Sequence, residues 1–176
     1  RATIQYAVEE AAQAGIEQVI IVSSRGKEAI GDYFDRHLEL EAVLSKKAAS
    51  DLLYKVKNLS TIADITYVRQ PEQLGLGHAV LCASKTVGDE PFAIILPDDI
   101  IVAEEGALAQ MLKLFHLYDA SVVAVQEVHG SEIQNYGVIV PEPVSNGVFK
   151  IHGTVEKPSL ADAPSNLGIV GRYILT

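Results

Sequence analysis

The chain has 176 residues, 48% of them hydrophobic and 21% charged, with a formal net charge of −9, one cysteine and no tryptophan. That balance describes one soluble globular domain with enough apolar material for a core, and it sets aside disordered and fibrous classes. The acidic surplus argues against a nucleic acid polymer as partner, which needs a cationic face, but leaves room for a single nucleotide held by backbone amides and one or two cations.

No apolar run approaches membrane-spanning length, and no basic, then apolar, then small-residue pattern opens the chain. The lone Cys82 has no partner for an intrachain disulfide, so a reducing, cytoplasmic setting is the expectation. The chain opens at Arg1 already in helical pattern, and we expect its true N-terminus to lie upstream.

From Ile4 to Ala14 apolar residues recur at helical spacing, and Gly15 follows as a stop. Gln18 to Val22 is a short β-branched run suited to a parallel strand covered on both faces, ending in a Ser23-Ser24-Arg25-Gly26 turn. Lys27 to Phe34, and Leu38 to Leu59 with breaks near Ser50 and Asn58, read as helices. Ala63 to Val68 alternates and reads as a second strand. A loop from Arg69 to His78 then opens into a helix over Ala79–Thr86, in whose interior Cys82 lies.

Phe92 to Leu96 is an apolar strand that stops at Pro97-Asp98-Asp99. A helix from Glu105 to Tyr118 and a strand from Ala120 to Val128 complete an alternation that predicts a sheet with helices on both faces. From Tyr136 the composition turns β-rich, and Asn146-Gly147 between two such runs predicts a hairpin. We therefore expect an antiparallel, strand-rich layer over one end of the main sheet, carrying a substrate.

Five places have the residue types for chemistry. Asp98 and Asp99 follow a buried strand, where carboxylates can hold a divalent metal against a phosphate, although Pro and Asp also make plain turns. Gly75 and Gly77 sit between a strand and a helix, where bare backbone can approach a base or phosphate, or simply supply the φ angles of a tight connection. His78, at the helix start, suits a capping role as well as a ligand role. Glu156 and Lys157 pair an acceptor for sugar hydroxyls with a point charge for phosphate, or form an ordinary surface ion pair; Tyr136-Gly137 is either a strand start or a place where a ligand lies on backbone. No nucleophile elbow and no zinc-type Cys/His spacing occurs.

Taken together, Arg69-Gln70, Leu74-Gly-Leu-Gly-His-Ala-Val80, Leu96-Pro-Asp-Asp99, Tyr136-Gly-Val138, Val155-Glu-Lys-Pro158 and Ser165-Asn-Leu-Gly-Ile-Val-Gly-Arg-Tyr-Ile-Leu175 resemble the bacterial UTP–glucose-1-phosphate uridylyltransferases, block for block and in order. The Gly-Leu-Gly-His-Ala form and the Ser165 to Leu175 block set the chain apart from the related thymidylyltransferases. The resemblance implies a three-layer, Rossmann-like α/β nucleotidyltransferase fold, a mixed sheet with helices on both faces, with a nucleotide-side α/β part over 1–128 and an antiparallel, sugar-side β-rich part over 129–176 of a single truncated domain.

It further implies that the base lies at Gln70, Gly75, Gly77 and His78, that glucose lies at Tyr136, Gly137, Glu156 and Asn166, and that Lys157 holds a phosphate and Asp98 a magnesium ion. The substrates implied are UTP and glucose 1-phosphate, and the product UDP-glucose, made by direct attack without a covalent enzyme intermediate. A homo-oligomer is implied as well. The family's N-terminal Gly-rich triphosphate loop would precede Arg1 and a further metal-binding aspartate would follow Thr176, so the expectation is that these residues alone do not turn over UTP. Another base or sugar, or a non-catalytic regulatory relative, are the competing readings.

Overall fold

The computed structural model describes residues 1–176, which form two compact units, Arg1–Glu90 and Pro91–Thr176. The change of composition at Tyr136 and the division expected between 128 and 129 both fall inside the second unit.

In the first unit, β1 (Gln18–Ser23) and β2 (Asp64–Arg69) pair in parallel, from Gln18 opposite Asp64 to Ser23 opposite Arg69. Their carboxyl ends therefore lie side by side. Five helices belong to this unit: α1 (Thr3–Gln13), α2 (Ala29–Phe34), α3 (Leu38–Lys46), α4 (Ser50–Leu59) and α5 (Leu76–Val87). Side chains two apart on a strand share a face, and Val19 and Ile21 use theirs to meet Val8 of α1 and Phe34 of α2. Val8 and Phe34 are almost wholly withdrawn from water, each contributing about 1.5–3 kcal/mol. Tyr33 adds a polar tie, its hydroxyl donating to Gln5 Oε1 at 2.6 Å and accepting from the Ala2 N–H at 3.3 Å. Helix α5 packs against both strands.

The second unit is a five-stranded sheet with β7 (Leu167–Leu175) at its centre. Strands β3 (Phe92–Ile95) and β4 (Val122–Glu127) flank β7, each antiparallel to it, so they run parallel to one another. Helix α6 (Ala107–Tyr118) connects them and packs on β4 and β7, with Leu108 and Met111 buried. A 3-10 helix (Gly130–Asn135), which no pattern in the sequence announced, leads into β5 (Gly137–Ser145). Strands β5 and β6 (Val148–Glu156) form the hairpin predicted at Asn146-Gly147, where Gly147 has a φ of +71°.

Two expectations need correction. Helix α5 begins at Leu76 rather than Ala79, because Gly75, at φ +93°, ends the loop early and places Gly77 and His78 in the first turn. The sheet of the second unit is mixed, as the expected fold has it, with β7 entering between β3 and β4 in the opposite direction. The β5–β6 hairpin is not a separate layer but joins the same sheet through Val138 opposite Gly168.

Gly168 shows how tightly that join is packed. A Cβ there would sit 2.8 Å from Val128 Cγ2 and 3.1 Å from Tyr136 Cβ and Cγ, atoms near their own backbones and unable to swing away. Gly168→Ala is therefore expected to destabilise the protein by about 1–3 kcal/mol, read as a lower urea midpoint; an unchanged midpoint would contradict this packing.

Candidate functional site

The turn after β3 is held by β7 rather than by its own sequence. Leu96 N–H donates to Gly171 O at 2.8 Å, continuing the ladder one residue beyond the strand. Gly171 N–H donates to Asp99 Oδ2 at 2.9 Å. Arg172, only 2% exposed, reaches under the turn: its Nη1 donates to Leu96 O at 3.1 Å and Gly171 O at 2.9 Å, and its Nη2 to Asp99 O at 2.8 Å.

A buried guanidinium is costly unless its donors are matched, and here main-chain carbonyls match them. Gly171 must lack a side chain, because a Cβ would lie 2.6 Å from Leu96 Cβ and 2.9 Å from Asp99 Oδ2. With Asp99 half-buried and committed to this latch, Asp98 is the exposed carboxylate of the pair.

The β5–β6 hairpin brings Tyr136, Gly137, Glu156 and Lys157 together. Gly137 lies opposite Glu156 in the register, and Lys157 N–H donates to Tyr136 O at 3.1 Å. A Cβ on Gly137 would meet Glu156 Oε2 at 3.1 Å, so the missing side chain leaves that carboxylate its position. Lys157 takes a left-handed φ of +46° just before the buried Pro158. A non-glycine residue held in that region marks strain of the kind found at functional sites. Its ammonium lies 3.8 Å from Glu156 Oε1 with both side chains largely exposed, a contact too weak in water to tie either one down. Asn166 is exposed, and its main-chain oxygen accepts from Val128 N–H at 2.8 Å.

Tyr173 of β7 links the two places electrostatically. Its phenol is held above the ordinary tyrosine range first by burial, then by the negative charges of Asp99 and Glu156. The strand-end turn and the Glu156 carboxylate thus act on one phenol.

On the first unit, Gln70 follows β2 directly, its N–H donating to Ser23 O at 2.8 Å. Its side-chain Nε2 donates to Gly75 O at 3.2 Å and lies 3.1 Å from His78 Nδ1. A Cβ on Gly75 or Gly77 would meet nothing within 4 Å, so the backbone at the start of α5 faces open space. His78 turns towards Gln70 and Cys82.

Sequence reasoning passed over Gly171, Arg172 and Tyr173. The signal was available for Arg172, a lone charge within the apolar run from Leu167 to Leu175, which a central strand tolerates only with matched donors. No group of three or more His, Cys, Asp or Glu side chains gathers as a metal cage.

A family model described as nucleotidyl transferase matches residues 2–176. The UTP–glucose-1-phosphate uridylyltransferase 1 of Staphylococcus saprophyticus is 48% identical over 173 residues, which cover 98% of this chain and 60% of that protein. The chain thus spans about three fifths of the length of such relatives. Among solved structures, an apo UDP-glucose pyrophosphorylase aligns at a TM-score of 0.94 and 43% identity, over 100% of this chain and 65% of that one. A UDP-glucose pyrophosphorylase complexed with UDP-glucose aligns at a TM-score of 0.88 and 42% identity, over 100% and 64%.

Tyr173 supplies a test of the electrostatics. Between the ordinary tyrosine range and its raised value, the folded chain keeps a proton that the unfolded chain releases, so stability falls as pH rises through that window. Asp99→Asn keeps an acceptor for Gly171 but removes one negative charge, and is expected to move the Tyr173 titration to lower pH in near-ultraviolet tyrosinate absorbance. Tyr67 is also raised, by burial and then by Asp35, so Tyr173→Phe should lower the amplitude of the late phase by one tyrosine and abolish its response to Asp99→Asn; an unchanged amplitude would contradict the assignment.

Proposed function

The chain belongs to the nucleotidyl transferase family, and from there we propose that it serves the transfer of a uridylyl group from UTP to glucose 1-phosphate, giving UDP-glucose and pyrophosphate. The observation that carries this reading is the commitment of Asp99 to Gly171, which leaves Asp98 exposed at the end of a strand. The names of the relatives supply the substrates.

In this reading Asp98 holds magnesium. A single exposed carboxylate fits that ion, which commonly binds through one or two carboxylates plus substrate phosphates rather than in a protein cage. Magnesium, when bound, offsets the repulsion between two anionic phosphates. Lys157 adds a second positive charge for phosphate, and Glu156 accepts from glucose hydroxyls. Tyr136, Gly137 and Asn166 complete the sugar-side contacts, with Gly137 letting the sugar approach the backbone. Gln70, Gly75, Gly77 and His78 serve the base, the two glycines by offering bare backbone at the start of α5 and His78 through Gln70.

The phosphate oxygen of glucose 1-phosphate attacks the α-phosphorus of UTP, and the bond from that phosphorus to the departing pyrophosphate breaks. No side chain becomes covalently attached, so the residues act by positioning and by stabilising charge. We place this enzyme in the cytoplasm as a homo-oligomer.

In the full-length protein, UDP-glucose is expected to raise the melting temperature more than dTDP-glucose or ADP-glucose at equal concentration, since only a ligand that binds the folded state stabilises it. A larger shift with either competitor would reassign the base or sugar. Asp98→Asn is expected to lower kcat by about a hundredfold or more and to raise the magnesium concentration required, at unchanged melting temperature. Wild-type activity in that variant would remove Asp98 as the ligand.

A further inference from the structure

The turn that presents Asp98 runs from Leu96 to Asp99, and one side chain reaches both of its ends. Arg172 Nη1 donates to Leu96 O at 3.1 Å, and Nη2 donates to Asp99 O at 2.8 Å. Nη1 also donates to Gly171 O at 2.9 Å, the carbonyl that accepts the Leu96 N–H at 2.8 Å. A guanidinium is planar, and its terminal nitrogens form a fork of fixed geometry. It therefore holds the carbonyls of the first and last residues of the turn at a set spacing, referred to the backbone of β7. Pro97 and Asp98 are bracketed between them. Arg172 is almost wholly withdrawn from water, whereas the Asp98 it brackets is exposed.

We propose that Arg172 is a positioning residue for the metal: its planar fork sets the path of the Leu96–Asp99 turn, and through it the placement of the Asp98 carboxylate that receives magnesium. The inference rests on the assignment of Asp98 above. Magnesium demands near-ideal octahedral geometry, so its affinity depends on where the carboxylate is held as well as on its charge. Groups that orient a metal ligand from behind change metal affinity by about ten- to a hundredfold when they are replaced.

Position and charge predict opposite signs. A guanidinium repels a nearby dication, so a residue that mattered through charge alone would, once made neutral, tighten magnesium binding. A residue that holds the turn would, once made neutral, weaken it. Lysine separates the two again, because it keeps the charge but has a single nitrogen in place of the rigid fork.

The test is calorimetric titration of magnesium into the full-length protein saturated with UDP-glucose, well below the melting temperature, in wild type, Arg172→Lys, Arg172→Gln, Pro97→Gly and Asp98→Asn. Both Arg172 variants are expected to raise the magnesium dissociation constant by about tenfold or more. An unchanged constant in Arg172→Lys, or a lower one in Arg172→Gln, would overturn the proposal. A lower melting temperature at an unchanged constant would assign Arg172 to folding alone, with the same result. Pro97→Gly loosens the turn and leaves the buried fork in place, so its constant is expected to stay within about threefold of wild type. A rise there as large as that of Asp98→Asn would give control of the turn to the proline and overturn the proposal, even if neither Arg172 variant folds. Asp98→Asn separates the inference from its premise. If its constant is that of wild type, the metal assignment falls together with the role of Arg172; if it rises while both Arg172 variants match wild type, only the role of Arg172 is lost.

Discussion

The second unit turns on one buried cation. Arg172 lies in the middle of an apolar strand, where a lone charge would be destabilising by several kcal/mol, and it is accepted because carbonyl oxygens of Leu96, Asp99 and Gly171 receive its donors. Those carbonyls belong to the turn after β3 and to β7 itself. The same contacts that make the arginine tolerable therefore define the path of the turn. Asp99 closes the arrangement by accepting the Gly171 N–H, and the direction of Asp98 follows from what its neighbour has already given up.

Small residues set the distances on which this depends. Gly171 lets Leu96 and Asp99 lie directly on β7, and Gly168 lets Tyr136 and Val128 close over the same strand seven residues from its end. Strand β7 thus serves as a common floor for the strand-end turn and for the start of the β5–β6 hairpin. Tyr173, between them, feels the charge of Asp99 and of Glu156 together. The left-handed backbone of Lys157, a conformation that Ala48 and Asp119 also adopt, is held by its hydrogen bond to Tyr136 O and by the buried proline that follows.

The first unit solves a different problem with less material. Two parallel strands bring their carboxyl ends together, and the chain leaves β2 through a loop whose glycine conformation starts a helix at once. Gln70 is the first residue past the ladder, so its backbone is still ordered by β1 while its side chain is free to be oriented by Gly75 and His78.

Much of this was legible beforehand. Hydrophobic period, helix stops and the Asn-Gly turn determined the elements to within a few residues, because those signals act between near neighbours in the chain. The residues at Asp98, Gly137 and Glu156–Lys157 could be picked out for the same reason, since carboxylates and glycines at the ends of strands are local patterns, whereas Gln70 was singled out by the likeness to a family. What the sequence alone could not decide was the direction of β7, the start of α5 ahead of His78 and the separate fates of Asp98 and Asp99. Those depend on contacts across seventy or more residues in the second unit, and on one backbone angle at Gly75 in the first. Two adjacent aspartates are chemically identical along the chain; only a distant N–H, arriving on the neighbouring strand, makes one structural and leaves the other exposed.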